Sequence, residues 1–160
     1  DWFNGNRSIL SNYNLSGLIV GLTLDTRTEE IYRTLVEANI FGSKRILDNY
    51  EENGVPISYI YAVGGIARKS PWIMQMCADA FGKEGYFCLA VCGAVALGKE
   101  GKGEGFATFK EATEVMIPKD RQVYTPDAEK TKAYAKVYEA YKKLYDMFGK
   151  DDSFMKNLRK

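Results

Sequence analysis

The chain has 160 residues, of which 46% are hydrophobic and 27% charged, and its formal net charge is +1. A chain of this size can bury a core of its own, and the nearly balanced charge gives no electrostatic basis for a nucleic-acid or anionic-membrane partner. No apolar run reaches the roughly 20 residues that a bilayer span requires, and no signal peptide opens the chain. The chain opens with "DWFNGNRS" and lacks an initiator Met, so we expect a missing upstream part.

The cysteine pattern and the absence of histidine disfavour several kinds of metal site and catalytic site. Cys77, Cys88 and Cys92 include no CxxC pair, and the chain has no His. An odd set of this kind is typical of reduced, buried thiols in a cytoplasmic protein. Without His, a zinc site and a Ser-His or Cys-His couple are disfavoured. We therefore expect no metal-binding residues and no triad hydrolase.

The first part of the chain predicts two strands separated by a long helix. The predicted elements are a loop over 1–16, a buried strand over Gly17–Leu22, a helix from Thr28 to Gly54 and a strand over Val55–Val63. Glu29 and Glu30 favour the helix start because their carboxylates lie near the positive end of the helix dipole.

The second part is predicted to be mainly helical. Ser70 and Pro71 have the residue types of an N-cap and a first helical position. The predicted elements are a helix from Pro71 to about Phe81 ended by Gly82, a helix over Phe87–Gly98, a loop over Gly98–Gly105, a helix over Phe106–Met116, and a final helix from Pro126 to Gly149. Strands that alternate with helices indicate an α/β fold with parallel pairing and right-handed crossovers.

Apolar residues form one stripe along the final helix. Its members are Tyr134, Val137, Tyr138, Tyr141, Leu144, Tyr145 and Phe148. A row of aromatic rings can be a stacking platform for single-stranded nucleic acid. With the net charge near zero, the stripe instead predicts a packing face.

Two glycines, Gly64 and Gly65, follow the second predicted strand and precede a helix. One interpretation is that they relieve crowding where the strand meets the helix. The other is that a ligand lies against the turn, because helix N-termini present free N–H groups and glycines let a ligand approach the backbone. The pattern alone leaves both open.

The N-terminal loop is a second candidate site. Trp2, Asn4, Asn6 and Arg7 lie in a segment that contains Gly. These side chains could stack with a ligand or hydrogen-bond to it. An ordinary loop with one anchored aromatic ring explains the pattern equally well.

Three motifs in the same order resemble the C-terminal part of FGGY carbohydrate kinases, closest to the ribulokinase branch. They are "WFNGNRS", "GLIVGLTLDTRTEEIYRTLVEANIFGSKRIL" and "AVGGIARKSPWIMQMCADAFGK", and the tail "VYTPDAEKTKAYAKVYEAYKKLYDMFGK" is also similar. The resemblance implies an incomplete ribonuclease H-like (actin-like ATPase) C-terminal domain with a helical extension. Residues 1–123 would be the nucleotide-binding domain, and residues 124–160 the C-terminal helix and tail.

The resemblance also implies an activity, namely ATP-dependent phosphorylation of a ketose, first of all ribulose, in arabinose catabolism. ATP and Mg²⁺ would be required. Gly64 and Gly65 would lie against adenosine, with Ala67 and Lys69 near the base, and Asn4, Asn6 and Arg7 would line the cleft. Domain closure around the substrates would exclude water.

The chain departs from the family pattern in several respects. The N-terminal kinase domain is absent, and with it the DxGT phosphate loop, the sugar pocket and the general base, so we expect no catalytic residue here and an inactive isolated chain. The opening hairpin of the second domain is also absent. Thr34 stands where the family usually has Ala or Ser. Residues 83–86 form a shorter connection than the family's additional strand and loop, so either this version is shortened or a stretch is missing from the sequence.

Other interpretations remain open. A non-catalytic nucleotide- or protein-binding module of the same fold is one, and a xylulose or polyol kinase of the same family is another. The sequence leaves the oligomeric state open as well, a homo-oligomer included.

Overall fold

The structure, a computed structural model of the chain, describes residues 1–57, 59–62, 64–87, 122–150 and 155. Its elements in chain order are α1 (Thr28–Glu52), β1 (Tyr59–Ala62), α2 (Gly65–Lys69), α3 (Pro71–Phe81), β2 (Glu84–Phe87), β3 (Val123–Tyr124) and α4 (Ala128–Gly149). They fall into two compact units. The first comprises Asp1–Ile57 with Asp127–Lys160, and the second comprises Ser58–Pro126.

Helix α1 begins and ends as its sequence predicts. The Arg27 backbone N–H donates to Glu30 Oε2 at 2.9 Å, so the acidic first turn supplies a partner for an N–H group that the helix leaves unpaired. The helix ends at Glu52, and Gly54 has a φ of +82°, a left-handed conformation that favours glycine. Ile40 and Phe41 are its buried residues.

The core of the first unit is aromatic, because α4 turns tyrosine rings toward α1. The Phe41 ring lies 6.0, 5.5 and 5.6 Å from the rings of Tyr134, Tyr138 and Tyr141. Tyr138 and Tyr145 are buried. The stripe predicted along the last helix is therefore a packing face at these residues. Val137 is an exception, since it is 52% exposed.

The segment Gly17–Leu22 is not the buried strand that its apolar residues predict. It has no regular secondary structure, and Leu18, Ile19 and Val20 are 37%, 44% and 61% exposed. A strand forms only when its N–H and C=O groups have ladder partners, and the described residues contain no strand paired with this segment. The predicted pairing of the first strand with Val55–Val63 is wrong for the same reason.

The second unit contains a three-stranded sheet in the order β1-β2-β3. Strands β1 and β2 are parallel, with Tyr59 opposite Glu84 and Ala62 opposite Phe87. Strands β2 and β3 are antiparallel, with Gly85 opposite Tyr124. Parallel pairing thus occurs, but between β1 and a strand that the sequence did not predict.

Helix α3 has the predicted bounds. It begins at Pro71, ends at Phe81 and is followed by Gly82 with a φ of +66°. Ser70 occupies the N-cap position, but its hydroxyl makes no capping hydrogen bond. Helix α2 was predicted only as a turn.

Several predictions lie outside the described residues. They concern Cys88, Cys92, residues 88–98 of the predicted Ala-rich helix, the loop Gly98–Gly105 and the helix Phe106–Met116. Phe87, predicted to begin that Ala-rich helix, is the last residue of β2. The division into residues 1–123 and 124–160 stays a prediction. None of the helices within the described ranges has the length and apolar character needed to cross a membrane.

Candidate functional site

The Gly64–Gly65 turn follows the carboxyl end of the parallel strand β1, with Gly64 as the N-cap and Gly65 as the first residue of α2. Gly64 has φ +104° and ψ −176°, a combination accessible almost only to glycine. A Cβ atom added at Gly64 or Gly65 would meet no described atom within 4 Å. Relief of crowding therefore does not explain these glycines within the described residues, whereas an open backbone surface is what a ligand needs to approach it.

The other two residues predicted to contact ATP lie in α2. Ala67 is buried, whereas Lys69 is exposed. The Arg68 N–H donates to the Gly64 carbonyl at 3.2 Å and the Ser70 N–H to the Ile66 carbonyl at 2.9 Å. The turn is thus held by its own backbone bonds. Gly64, Gly65 and Lys69 are accessible to a ligand, and the Ala67 methyl is directed inward.

Helix α3 is held near β3 by one side chain. Gln75 Nε2 donates at 2.8 Å to Asp79 Oδ1 and at 2.8 Å to the Thr125 carbonyl. Asp79 is only 2% exposed, so this bond helps to compensate a buried carboxylate. The sequence did not lead us to predict the Gln75–Asp79 pair, although Gln and Asp four residues apart lie on the same helix face.

The N-terminal loop, which contains Asn4, Asn6 and Arg7, is internally bonded. The Gly5 N–H donates to the Trp2 carbonyl at 3.0 Å, and the backbones of Asn6 and Asn12 exchange two hydrogen bonds of 2.8 Å each. Asn6 Oδ1 also accepts from the Leu10 N–H at 3.2 Å. Asn6 therefore shapes the loop, whereas Asn4 and Arg7 are exposed.

Asn4, Asn6 and Arg7 line a polar groove of about 380 Å³ in the first unit. Its opposite wall is a stretch of α1 that includes Asn39, Gly42 and Ser43. The structure thus brings the three predicted N-terminal residues together. The glycine turn lies in the other compact unit, and that these three residues line a substrate cleft stays a prediction.

Contacts with both long helices of the first unit anchor the loop. The Trp2 ring packs edge-on against Tyr145, with 5.2 Å between centroids. The Tyr141 hydroxyl donates to the Asp1 carboxylate at 3.2 Å. A Cβ at Gly42 would collide with the same carboxylate, so glycine is needed there for close approach. The groove therefore has a fixed wall on each side.

The cysteine and acidic residues within the described ranges indicate neither a reactive thiol nor a metal-binding site. Burial raises the pKa of the Cys77 thiol to about 11, so at neutral pH it is protonated and a poor nucleophile. No group of three or more His, Cys, Asp or Glu side chains among the described residues is arranged to hold a metal ion.

Comparison with known proteins shows which family and which curated proteins the chain is similar to. Residues 1–98 match the family described as "FGGY family of carbohydrate kinases, C-terminal domain". The chain is 40% identical to a ribulokinase of Bacillus licheniformis, across 100% of this chain and 30% of that protein. It is 39% identical to a ribulokinase of Shouchella clausii, across 99% of this chain and 30% of that protein. The chain thus spans about 30% of the length of these curated relatives.

Solved structures share the fold. A ligand-bound xylulose kinase from Lactobacillus acidophilus superposes with a TM-score of 0.76 at 23% identity, over 92% of this chain and 30% of that one. A xylulose kinase from Rhodospirillum rubrum gives 0.72 at 21% identity, over 92% and 29%. At these identities the likeness concerns the fold alone, and it is consistent with the expected actin-like ATPase fold.

Proposed function

The chain belongs to the FGGY family of carbohydrate kinases, and from this premise we propose that it is the ATP-binding C-terminal portion of an enzyme that phosphorylates a ketose. Ribulose is the proposed substrate, since the curated relatives at 38–40% identity are ribulokinases. The structural neighbours at 19–23% identity, which include xylulose kinases, support only the fold. The reduced thiols expected from the cysteine pattern further support a cytoplasmic location.

The observation that carries the proposal is the open backbone at Gly64 and Gly65. In open α/β sheets, ligands bind at the carboxyl ends of the strands. The turn follows β1 and leaves both glycine Cα atoms uncovered by described residues. Adenosine would lie against this backbone, and the exposed Lys69 would lie near the base. Asn4, Asn6 and Arg7 would line the cleft that receives the sugar.

This chain would contribute the positioning of ATP. Phosphoryl transfer depends on aligning the γ-phosphate with the attacking hydroxyl, on charge neutralisation and on a base that accepts the hydroxyl proton. Mg²⁺, the ion that the family resemblance implies, would supply the neutralisation when bound. Since no described carboxylate cluster fits that ion, we assign it no residue here. The base and the phosphate loop belong to the proposed N-terminal domain, and closure of the two domains would exclude water.

The alanine variant of Gly64 tests the adenosine contact, with Gly54→Ala as the matched control. Both glycines have positive φ, +104° and +82°, and a Cβ at either meets no atom of the described residues within 4 Å. Both variants therefore carry backbone strain, which is greater at Gly64, so thermal unfolding of each variant is measured beside its ATP affinity to separate lost folding from lost binding. We expect Gly64→Ala to weaken ATP binding by the natural gene product at least about tenfold in calorimetry, and Gly54→Ala to leave it unchanged. Equal affinities in both variants would contradict the assignment.

A second experiment tests the reaction. We expect the natural gene product to have a denatured mass several times the 18.0 kDa of this chain. It should phosphorylate ribulose in preference to xylulose and polyols. A product near 18.0 kDa without kinase activity would favour the binding-module alternative.

A further inference from the structure

The polar groove of the first unit has the features of a ligand site in its own right. We propose that it binds a small sugar that carries an oxyanion, either a phosphate or a carboxylate. Its volume of about 380 Å³ lies in the range of small-molecule sites, roughly 300–1,000 Å³. It deepens the proposed function, since the same residues are there assigned to the sugar cleft, but its test needs neither ATP nor turnover, so the two can fail separately.

The groove is held in shape before any ligand binds. Gly5 has a φ of +76°, and a Cβ there would lie 2.7 Å from Tyr13 Cα, so the loop backbone is closely packed at this point. The backbone bonds between Asn6 and Asn12 close the loop, and the contact of Trp2 with Tyr145 fixes it on α4. A preorganised loop loses less conformational entropy when a ligand binds.

Charge supports an anionic ligand. Arg33 and Arg45 on α1 are paired with Glu37 and Glu52 at 2.8 and 3.0 Å. Arg7 has no ion pair or hydrogen bond among the described residues, and it lines the groove. A guanidinium group binds phosphate and carboxylate oxygens through two parallel hydrogen bonds.

The acidic side chain in the groove lining does not cancel this charge fully. Asp1 lines the groove, and its carboxylate accepts hydrogen bonds from the Tyr141 hydroxyl at 3.2 and 3.3 Å. The carboxylate stays charged, but it is held by α4 and makes no ion pair with Arg7 among the described residues. Arg7 carries the cationic side chain of the lining, beside the terminal ammonium of Asp1, and its guanidinium is free to pair with an incoming oxyanion.

Neutral groups in the groove suit sugar hydroxyls. The Asn4 carboxamide has no partner among the described residues and offers two donors and an acceptor. The Ser43 hydroxyl donates to the Asn39 carbonyl at 3.0 Å, so its lone pairs are left to accept from a ligand. Ser8 adds another hydroxyl to the lining. A sugar that carries an oxyanion would pair its charged oxygens with Arg7 and would hydrogen-bond through its hydroxyls to these neutral side chains.

The test is a titration of the ¹⁵N-labelled 160-residue chain, followed by backbone amide shifts. The probes are ribulose 5-phosphate, gluconate, inorganic phosphate and ribulose. We expect saturable shifts confined to residues 4–8 and 39–43, with the sugar phosphate or the sugar acid binding more tightly than inorganic phosphate or ribulose. If ribulose 5-phosphate binds more tightly than gluconate, the oxyanion is a phosphate, and if gluconate binds more tightly, it is a carboxylate. Added salt should weaken binding, because exposed charges are screened.

Matched variants decide whether Arg7 is responsible. Arg7→Gln should weaken binding of the preferred probe about tenfold or more, since a charge-assisted bidentate contact is lost. Arg27→Gln removes the same charge at an exposed arginine outside the groove lining and should leave the affinity unchanged. Asn4→Ala should weaken the sugar-bearing probe but not inorganic phosphate. Equal losses in Arg7→Gln and Arg27→Gln, shifts elsewhere, or no saturable shift with any probe would overturn the proposal.

Discussion

At the scale of single residues, two buried tyrosine hydroxyls on α4 have different environments. The Tyr138 hydroxyl donates to Asp48 Oδ2 at 2.6 Å, and Asp48 also pairs with Lys44 at 3.1 Å. The Tyr145 hydroxyl is buried and makes no well-formed hydrogen bond among the described residues, although the Asn6 side chain lies near enough to offset part of the rise in its pKa that burial causes. A buried hydroxyl without a partner keeps the cost of leaving water.

The two Phe variants should therefore have unequal effects. Tyr138→Phe loses a hydrogen bond to a charged group and should lower the free energy of unfolding by about 1–2 kcal/mol. Tyr145→Phe removes a hydroxyl that has only a poorly formed contact with Asn6, and we expect no loss or a small gain in stability, with the contact to Trp2 kept. Urea unfolding of the two variants measures the difference. Equal destabilisation would show that Tyr145 has a partner in solution.

Cys77 gives a prediction about pH. Burial raises its pKa from 9.0 to about 11, so the folded state retains a proton that the unfolded state loses as the pH passes 9.0. This contribution to stability is fully present below pH 9.0 and is lost as the pH rises toward about 11. Unfolding measured between about pH 8 and about pH 10.5 should show a smaller decline for Cys77→Ala than for the parent chain.

Alkylation provides an independent check on Cys77. In a background with Cys88→Ser and Cys92→Ser, iodoacetamide at about pH 8 should react roughly 100-fold more slowly with the folded than with the unfolded chain, because the thiolate is the nucleophile. Similar rates in the two states would mean that the thiol is not held in a buried, protonated form.

At the scale of elements, the helix starts differ in how they are capped. The Asp127 side chain accepts from the N–H groups of Glu129 and Lys130, both at 3.0 Å, and so caps α4. Ser70 stands at the start of α3 but makes no such bond. Asp and Ser are both typical N-cap residues, but only the Asp127 side chain accepts hydrogen bonds from the first turn of its helix.

Alanine substitutions at Asp127 and Ser70 should therefore differ in their effect on the free energy of unfolding. Asp127→Ala should lower the free energy of unfolding by about 1 kcal/mol, because two N–H groups lose an acceptor. Ser70→Ala should change it by less than about 0.5 kcal/mol. Thermal unfolding followed by circular dichroism measures both variants. A cost at Ser70 as large as that at Asp127 would contradict the structural difference.

The long helices were predicted more reliably than the strands, of which only β1, within the predicted Val55–Val63, was found, for a physical reason. The bounds of α1 and α3 follow from local signals, namely Glu29 and Glu30 at one start, Pro71 at the other, and glycine after each end. Strands depend on partners distant in sequence. The run "EGYF" forms β2 despite its charge and glycine because β1 and β3 pair with it, whereas the more apolar Gly17–Leu22 is not a strand.

At the scale of the whole molecule, Gly17–Leu22 indicates what a longer polypeptide would change. Leu22 and Leu24 are 57% and 106% exposed, next to the exposed Ile19 and Val20. The chain spans about 30% of its curated relatives, so much of their length has no counterpart here. Contiguous exposed apolar residues of this kind mark an interaction surface.

We expect this segment to become a paired strand in a polypeptide of the relatives' length. Hydrogen exchange at the amides of residues 18–22 should be fast in the 160-residue chain and much slower in the longer protein, because ladder hydrogen bonds would then protect them. Amides in the middle of α1 should be protected in both and serve as the internal control. Fast exchange at residues 18–22 in both proteins would refute the expectation.

The amino-acid sequence by itself determined the positions of α1, α3 and α4, the glycine pair after β1 and the motifs of the FGGY family, because these are local patterns of residue type and spacing. Only the tertiary structure decided that no described residue covers Gly64 and Gly65, that Asn4, Asn6 and Arg7 share one groove, and that Gln75 reaches both Asp79 and Thr125. Those facts depend on which distant segments come together, and packing rather than local pattern sets them.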